Sequence, residues 1–263
     1  MKNILIKSDL KNKILHLTLN NPENQNTLSE EMMIALEDKL KKASKNPLIK
    51  VIIISSSGKV FSAGHNLKDL NAKRSESDKG KSYYKKIFNS CSSLMINIVK
   101  NSKPIIAAVD GIATAAGCQL IASCDLAYAS QESKFATPGV NIGLFCSTPM
   151  VALSRTVNKK SAMEMLLTGE LIDAKKAYQI GLINNYYKSN QLLKEVFNVA
   201  EKISSKSMET VKIGKKAFYN QREMSLEDAY KYTSSVMVEN ILKEDSKEGI
   251  NAFLEKRKPN WEC

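Results

Sequence analysis

Two short turns rich in small residues carry most of the chemistry this chain can offer. The run Val109-Asp110-Gly111-Ile112-Ala113-Thr114-Ala115-Ala116-Gly117-Cys118-Gln119-Leu120 follows an apolar, strand-like stretch from Pro104 to Val109. It leads into Leu120-Ile121-Ala122-Ser123, which reads as a helix. Gly and Ala at a helix start leave backbone N–H groups uncovered and pointing outward, where they can hold developing negative charge. A second turn, Phe61-Ser62-Ala63-Gly64-His65-Asn66-Leu67, follows another apolar strand, Val51 to Ser55. Two units of this kind can each give an N–H to one carbonyl oxygen, as an oxyanion hole. Either turn alone reads first as tight packing.

The elements that must position these turns alternate along the first part of the chain. Ile14 to Leu19 has the alternation of a strand, and Asn20 to Asn24 turns. Ser29 is an N-cap for a helix through about Ala43, with Glu31 in its first turn. Val51 to Ser55 is β-branched and short, as a strand buried on both faces would be. The charged stretch Asn71 to Gly80 reads as a mobile loop or a broken helix, and Tyr83 to Val99 has helical spacing. A strand follows over Cys124 to Ala129. From Ser161 onward, Ala162 to Leu167 and the segments after Asp173, Asn190, Ser207 and Ser225 read as helices. Strands separated by helices imply right-handed crossovers and a parallel sheet, hence an α/β fold.

Composition narrows the function classes. A chain of 263 residues can form one large domain, or a domain with an appended helical part. Its five cysteines are odd in number and lie mostly in apolar runs, as small buried hydrophobes in a reducing compartment. No CxxC or Cys/His ligand spacing occurs, so no metal is expected. The formal charge of +12 raises the question of nucleic acid. The lysines are interleaved with acids, as Glu37-Asp38 beside Lys39, and no aromatic residues alternate with them in a stacking pattern. Neither nucleic acid nor membrane is an expected partner. The start of the chain reads as neither signal nor transit peptide, which makes a bacterial-type cytoplasmic protein the expectation, or a mitochondrial matrix one had a targeting segment been removed.

The chain resembles the enoyl-CoA hydratase/isomerase (crotonase) superfamily over nearly its whole length. Phe61 to Leu67 resembles the family's first oxyanion segment and Ala115-Ala116-Gly117-Cys118 its second. Lys103 to Gly111 is similar to the central strand, Cys124-Asp125-Leu126-Ala127 to the strand after the helix, and Gly249 to Pro259 to the C-terminal signature. The long stretch Phe135 to Pro149 resembles one branch of the superfamily in particular. The resemblance implies a crotonase-type spiral of ββα units over residues 1–200. It also implies a helical oligomerisation region over 201–263, whose apolar surface at Met224–Leu242 and Ala252–Leu254 fits a homotrimer or a dimer of trimers. It implies an acyl-CoA ligand, coenzyme A entering as part of the thioester substrate and no cofactor being held permanently.

Carried over by position, the oxyanion donors are the N–H groups of His65 and Ala116, with Ala63 and Lys68 on the coenzyme side. Phe253 and Lys256 match the adenine and ribose-phosphate contacts that a neighbouring subunit usually offers. The two glutamates that typical hydratases place beside the α and β carbons fall at Gln119 and Gly139, neither of which takes up a proton near neutral pH. Asp110, Asn141, Cys146, Ser147 and Thr148 are nearby candidates to replace them. Cys146 reads first as packing, because no cationic neighbour in sequence lowers its pKa. Asp110 reads first as a turn residue, and His65 as the backbone of its turn. Ordinary hydration is therefore in doubt. What stays open is an enzyme of acyl-CoA or fatty-acid metabolism that stabilises a thioester enolate, a decarboxylase-like relative, or a non-catalytic acyl-CoA binder.

Overall fold

The computed structural model describes residues 4–261. The chain begins with a hairpin, β1 (Ile6–Lys11) antiparallel to β2 (Ile14–Leu19), and continues into helix α1 (Glu30–Lys45). Ser29 caps α1 as expected, its hydroxyl accepting from the Met32 N–H at 3.2 Å. The chain then repeats one pattern three times. A long buried strand is followed by a short one that leaves the first sheet for a second, and then by helix. The first round is β3 (Val51–Ser56), β4 (Val60–Ser62), the short α2 (Leu67–Ala72) and the long α3 (Lys81–Lys100). The second is β5 (Ile105–Val109), β6 (Ile112–Thr114) and α4 (Ala116–Ser123). The third is β7 (Leu126–Ser130), β8 (Lys134–Ala136), α5 (Ser147–Thr156) and α6 (Lys159–Thr168). A two-residue strand β9 (Ile172–Asp173), helix α7 (Ala174–Gln179), strand β10 (Asn185–Tyr187) and helix α8 (Ser189–Ser204) close the core. Helices α9 (Met208–Gln221), α10 (Leu226–Ile241) and α11 (Glu244–Leu254) follow.

The six-stranded sheet has the order β1-β2-β3-β5-β7-β10 and the four-stranded one β4-β6-β8-β9. Every pair from β2 to β10 is parallel, as are β4 with β6 and β6 with β8. β3 is buried on both faces, and its alternation divides the molecule. Ile52 and Ile54 enter the main core with Phe61 and Phe135, whereas Val51 and Ile53 pack under α8 with Leu192, Val196 and Ala200. The stretch 71–80 is a broken helix, the end of α2 followed by a single 3₁₀ turn over 73–75. Asp173, Ser207 and Ser225 cap the helices that follow them. Several boundaries differ from expectation. β7 starts at Leu126, because Cys124 ends the turn of α4. α8 starts one residue before Asn190. α4 starts at Ala116, four residues before the expected helix, and that shift matters for the chemistry.

Candidate acyl-thioester site

The two small-residue turns meet. A Cβ placed on Gly64 would stand 3.0 Å from the Ala115 Cβ and 3.1 Å from the Ala116 nitrogen, and Gly64 has φ +85°, where a side chain is strained. A Cβ on Gly117 would stand 2.2 Å from the Ser62 carbonyl oxygen. Only residues without side chains let β4 and the start of α4 approach this closely.

The first turn is braced on every side. Ala63 N–H donates to the Gln25 carbonyl at 3.1 Å, Leu28 N–H to the Gly64 carbonyl at 2.7 Å, and the Thr114 hydroxyl to the Ala63 carbonyl at 3.2 Å. The His65 N–H is left with no acceptor among the described residues. In the second turn Ala115 N–H donates to the Ala136 carbonyl at 3.0 Å, and the N–H of Ala116, first residue of α4, likewise has no acceptor. Ala115 is held at φ +49°, ψ −117°, an uncommon conformation for a residue with a Cβ. Strain of this kind costs about 1–3 kcal/mol and persists where the surroundings enforce it. Ala115→Gly is expected to raise unfolding stability by on the order of 1 kcal/mol, the relief of strain exceeding the added flexibility of the unfolded chain. Ala115→Val should lower it. Urea unfolding of both variants checks the sign.

Both turns line one cavity of about 460 Å³, with Ala63, His65, Ala115 and Ala116 in its wall. Leu67, Leu70, Phe88, Ile142, Leu144 and Phe145 make the wall largely apolar, and Asn141, Cys146, Ser147 and Thr148 also face it. No Asp, Glu, Lys or Arg is in the wall among the described residues.

The positions of the missing glutamates differ from each other. Gln119 is buried and lies outside the cavity wall; its amide oxygen meets the Cys91 thiol of α3 at 3.8 Å. Gly139 is in the wall, but it is closed to any side chain. A Cβ there would lie 2.0 Å from the Leu144 carbonyl oxygen and 2.8 Å from the Cys146 sulfur. The Leu144 N–H also donates to the Gly139 carbonyl at 2.9 Å, and the Gly139 N–H to the Cys146 sulfur at 3.3 Å. Residues 139 to 146 thus form a tight loop that only glycine can open.

The replacement candidates separate as well. Asp110 is not in the cavity; it accepts from the Ser189 hydroxyl at 2.5 Å and ties the end of β5 to α8. Asn141 donates to the Gly169 carbonyl at 3.4 Å and Ser147 to the Phe145 carbonyl at 3.3 Å. Burial pushes the Cys146 thiol above its ordinary range, with the Gly139 N–H opposing, and pushes Cys118 up to about 12. Neither is a thiolate at neutral pH.

Among the described residues, His65 is the one ionisable side chain in the wall besides Cys146. Its Nδ1 lies 3.1 Å from the Leu28 carbonyl oxygen. A carbonyl can only accept, so Nδ1 carries the proton and Nε2 a lone pair. Burial lowers its pKa below the ordinary 6.5, the Leu28 bond opposing. His16, bonded through Nε2 to the Ser55 hydroxyl at 2.7 Å, is lowered for the same reason, with Asp9 opposing. An unfolded chain takes up these protons as pH falls through about 6.5, and the folded chain does not until lower pH. Stability is therefore full above that pH and declines as pH falls toward the folded-state values. In His65→Asn, which keeps a donor for Leu28 but does not titrate, the urea midpoint should fall less between pH 7.5 and pH 5.5.

Lys68 is exposed at the start of α2, and Phe253 and Lys256 are exposed at the far end of the chain. None of the three is in the cavity wall; Phe253 lines a separate cleft between α9, α10 and α11. Ser147 and Thr148, the first residues of α5, are in the wall as the sequence offered them, whereas sequence reasoning did not find the Leu28 carbonyl or Phe88, which reach the site from distant stretches of chain without a local motif.

The chain belongs to the enoyl-CoA hydratase/isomerase family, whose model matches residues 9–263. Its fold is the crotonase-type spiral. It is 49% identical over 248 residues to enoyl-CoA hydratase domain-containing protein 3, mitochondrial, of Xenopus laevis, covering 94% of this chain and 83% of that protein. The crystal structure of the human domain-containing protein 3 superposes with a TM-score of 0.93 at 46% identity, covering 98% of this chain and all of that one. An enoyl-CoA hydratase from Mycobacterium smegmatis superposes with a TM-score of 0.94 at 42% identity, covering 99% of this chain and all of that one. The branch that Phe135 to Pro149 resembles is that of domain-containing protein 3. No helix among the described residues is long and apolar enough to cross a membrane, and no cluster of three metal-ligating side chains occurs among them.

Proposed function

We propose that this protein binds an acyl-CoA thioester with its carbonyl oxygen between the N–H groups of His65 and Ala116, and stabilises the thioester enolate there. The observation that carries this reading is that His65 and Ala116, whose N–H groups have no acceptor among the described residues, both line one largely apolar cavity. Charge that develops on the oxygen when the α carbon loses a substituent meets fixed dipoles, one of them at the start of α4. No carboxylate in the cavity wall activates water, so the chemistry is that of enolate formation without a paired acid and base. The rest of the thioester brings coenzyme A as part of the substrate, and no permanently held cofactor takes part. In this reading Lys68, exposed at the start of α2, meets the coenzyme phosphates.

Phe253 and Lys256 are outside the cavity wall of their own chain, and in this reading they serve the site of a second copy in a homotrimer or dimer of trimers. Exposed Tyr230, Met237, Leu242, Phe253 and Leu254 give the apolar surface for it. The mitochondrial relatives make the matrix a candidate compartment alongside a bacterial-type cytoplasm.

Incubation of the purified protein with saturated acyl-, enoyl- and malonyl-type CoA thioesters, followed by mass, tests the reading. Binding with turnover of at least one thioester is expected. Binding without turnover identifies a non-catalytic binder, and absence of binding across the set refutes the proposal.

A further inference from the structure

The stretches of chain that wall the cavity are not held alike. The first turn is braced by hydrogen bonds, and the start of α4 packs tightly on β4. The loop 139–146 is closed by the bonds of Leu144 N–H to Gly139 and of Gly139 N–H to Cys146. Phe88 stands on α3, which buries Ile87, Cys91 and Leu94 beside it. Helix α2, which gives Leu67 and Leu70 to the apolar part of the wall, has no such anchor. None of its side chains is buried, and between residues 67 and 79 only Leu70 and Lys73 are even partly covered.

Apart from local bonds among residues 66–82, this stretch has one hydrogen bond to the rest of the described chain. The Tyr84 hydroxyl, on α3, donates to the Leu70 carbonyl at 2.8 Å. A weaker tie is Lys73, whose Nζ lies 5.3 Å from the centroid of the Tyr83 ring. Gly80 makes the seat for Tyr84, since a Cβ there would stand 2.7 Å from the ring Cζ. Lys79 and Gly80, at φ +55° and +81°, form the turn that ends the stretch.

Resting on the acyl-CoA reading above, we propose that α2 is a lid on the cavity and Tyr84 its latch. The bond to Leu70 then sets how large an acyl group the cavity takes. An acyl tail has no hydrogen-bonding group and lies against the apolar part of the wall. A tail too large for the closed cavity of about 460 Å³ must displace that wall, and α2 is the part that yields. Tyr84 does not line the cavity, so it is a positioning residue that acts through Leu70.

Tyr84→Phe removes the latch hydroxyl and keeps the ring. Deuterium exchange of the free protein, read by mass, should show the amides of 67–75 exchanging roughly threefold to tenfold faster in this variant. Peptides of α3, α4 and α5 should exchange as in the wild type. In calorimetric titration, dodecanoyl-CoA should bind Tyr84→Phe more tightly by that same factor, because its apparent affinity scales with the open fraction. Butyryl-CoA, which the closed cavity accepts, should change by less than about twofold. Gly80→Ala, which pushes the Tyr84 ring off its seat, is expected to reproduce both effects. A merely structural role for Tyr84 would speed exchange through α3 and keep the two thioesters in their wild-type ratio. That outcome, or unchanged exchange of 67–75, overturns this inference and leaves the acyl-CoA reading standing. Binding of neither thioester to any of the proteins overturns both.

Discussion

Crotonyl-CoA incubated with the purified protein is expected to form 3-hydroxybutyryl-CoA at a rate at least about 10⁴-fold below that of a hydratase with two glutamates, since each general acid–base group contributes about 10²–10⁴. The structure adds a reason why the deficit is not easily repaired. A glutamate at position 119 would start from a buried site whose present side chain meets Cys91, not the cavity. At position 139 the first carbon of any side chain would collide with the Leu144 carbonyl oxygen. The pair Gln119→Glu and Gly139→Glu, which sequence position alone offers as a route to hydratase activity, is therefore expected to lose stability without gaining turnover. A coupled assay for hydration, run beside urea unfolding, reads both effects. Robust wild-type hydration, free of contaminating hydratase, would show that another group serves as base.

Removal of the Lys215 ammonium is expected to cost about 3–5 kcal/mol, the largest stability effect of a single substitution discussed for this molecule. Lys215 reaches from α9 into the core, where its Nζ lies 2.7 Å from Asp125 Oδ2 and donates to the carbonyls of Ile98 at 3.3 Å and Lys103 at 3.0 Å. The two side chains are only 8% and 16% exposed. Asp125 also accepts from the Tyr219 hydroxyl at 2.9 Å and from the Ile105 N–H at 2.7 Å. The cluster thus joins α9 to the turn between α4 and β7 and to the start of β5. Burial lowers the Lys215 pKa despite the opposing attraction of Asp125, so the ion pair stands against a desolvation cost. Lys215→Met takes from the Asp125 carboxylate the cation bonded to it and from the Ile98 and Lys103 carbonyls one donor each. Lys215→Met combined with Asp125→Asn should cost less than the sum of the single changes. Urea unfolding of the four proteins of this cycle gives the coupling directly, and additive costs would show that the pair does not act as a unit.

The fold was legible where its causes are local. Ser29, Asp173, Ser207 and Ser225 announce helix starts because a cap needs only its own hydroxyl or carboxylate and an N–H three residues on. Val51 to Ser55 announces a doubly buried strand by its β-branched run, which the fold extends to Ser56. The strands β9 and β10, two and three residues long, have no periodicity to read. The start of α4 was missed because Ala115-Ala116-Gly117 carries neither an apolar stripe nor a cap, and the helix begins there through contact with β4.

The site divides in the same way. The small residues of both turns are visible in sequence, since close approach demands them. The His65 tautomer depends on Leu28, and the role of Gly139 on the backbone of Leu144, contacts that only the folded chain creates. Asp110 looked available for chemistry until its Ser189 partner, 79 residues away, accounted for it.

The central claim is that two backbone N–H groups hold an enolate. Exchange of the α protons of butyryl-CoA for deuterium in D₂O reads enolate formation without requiring any further reaction. The wild-type protein should accelerate this exchange above buffer, and folded Ala116→Pro, which lacks the N–H at the start of α4, should lose at least about 10²-fold of that acceleration. Equal exchange by the two proteins, with circular dichroism showing the same fold, would contradict the account.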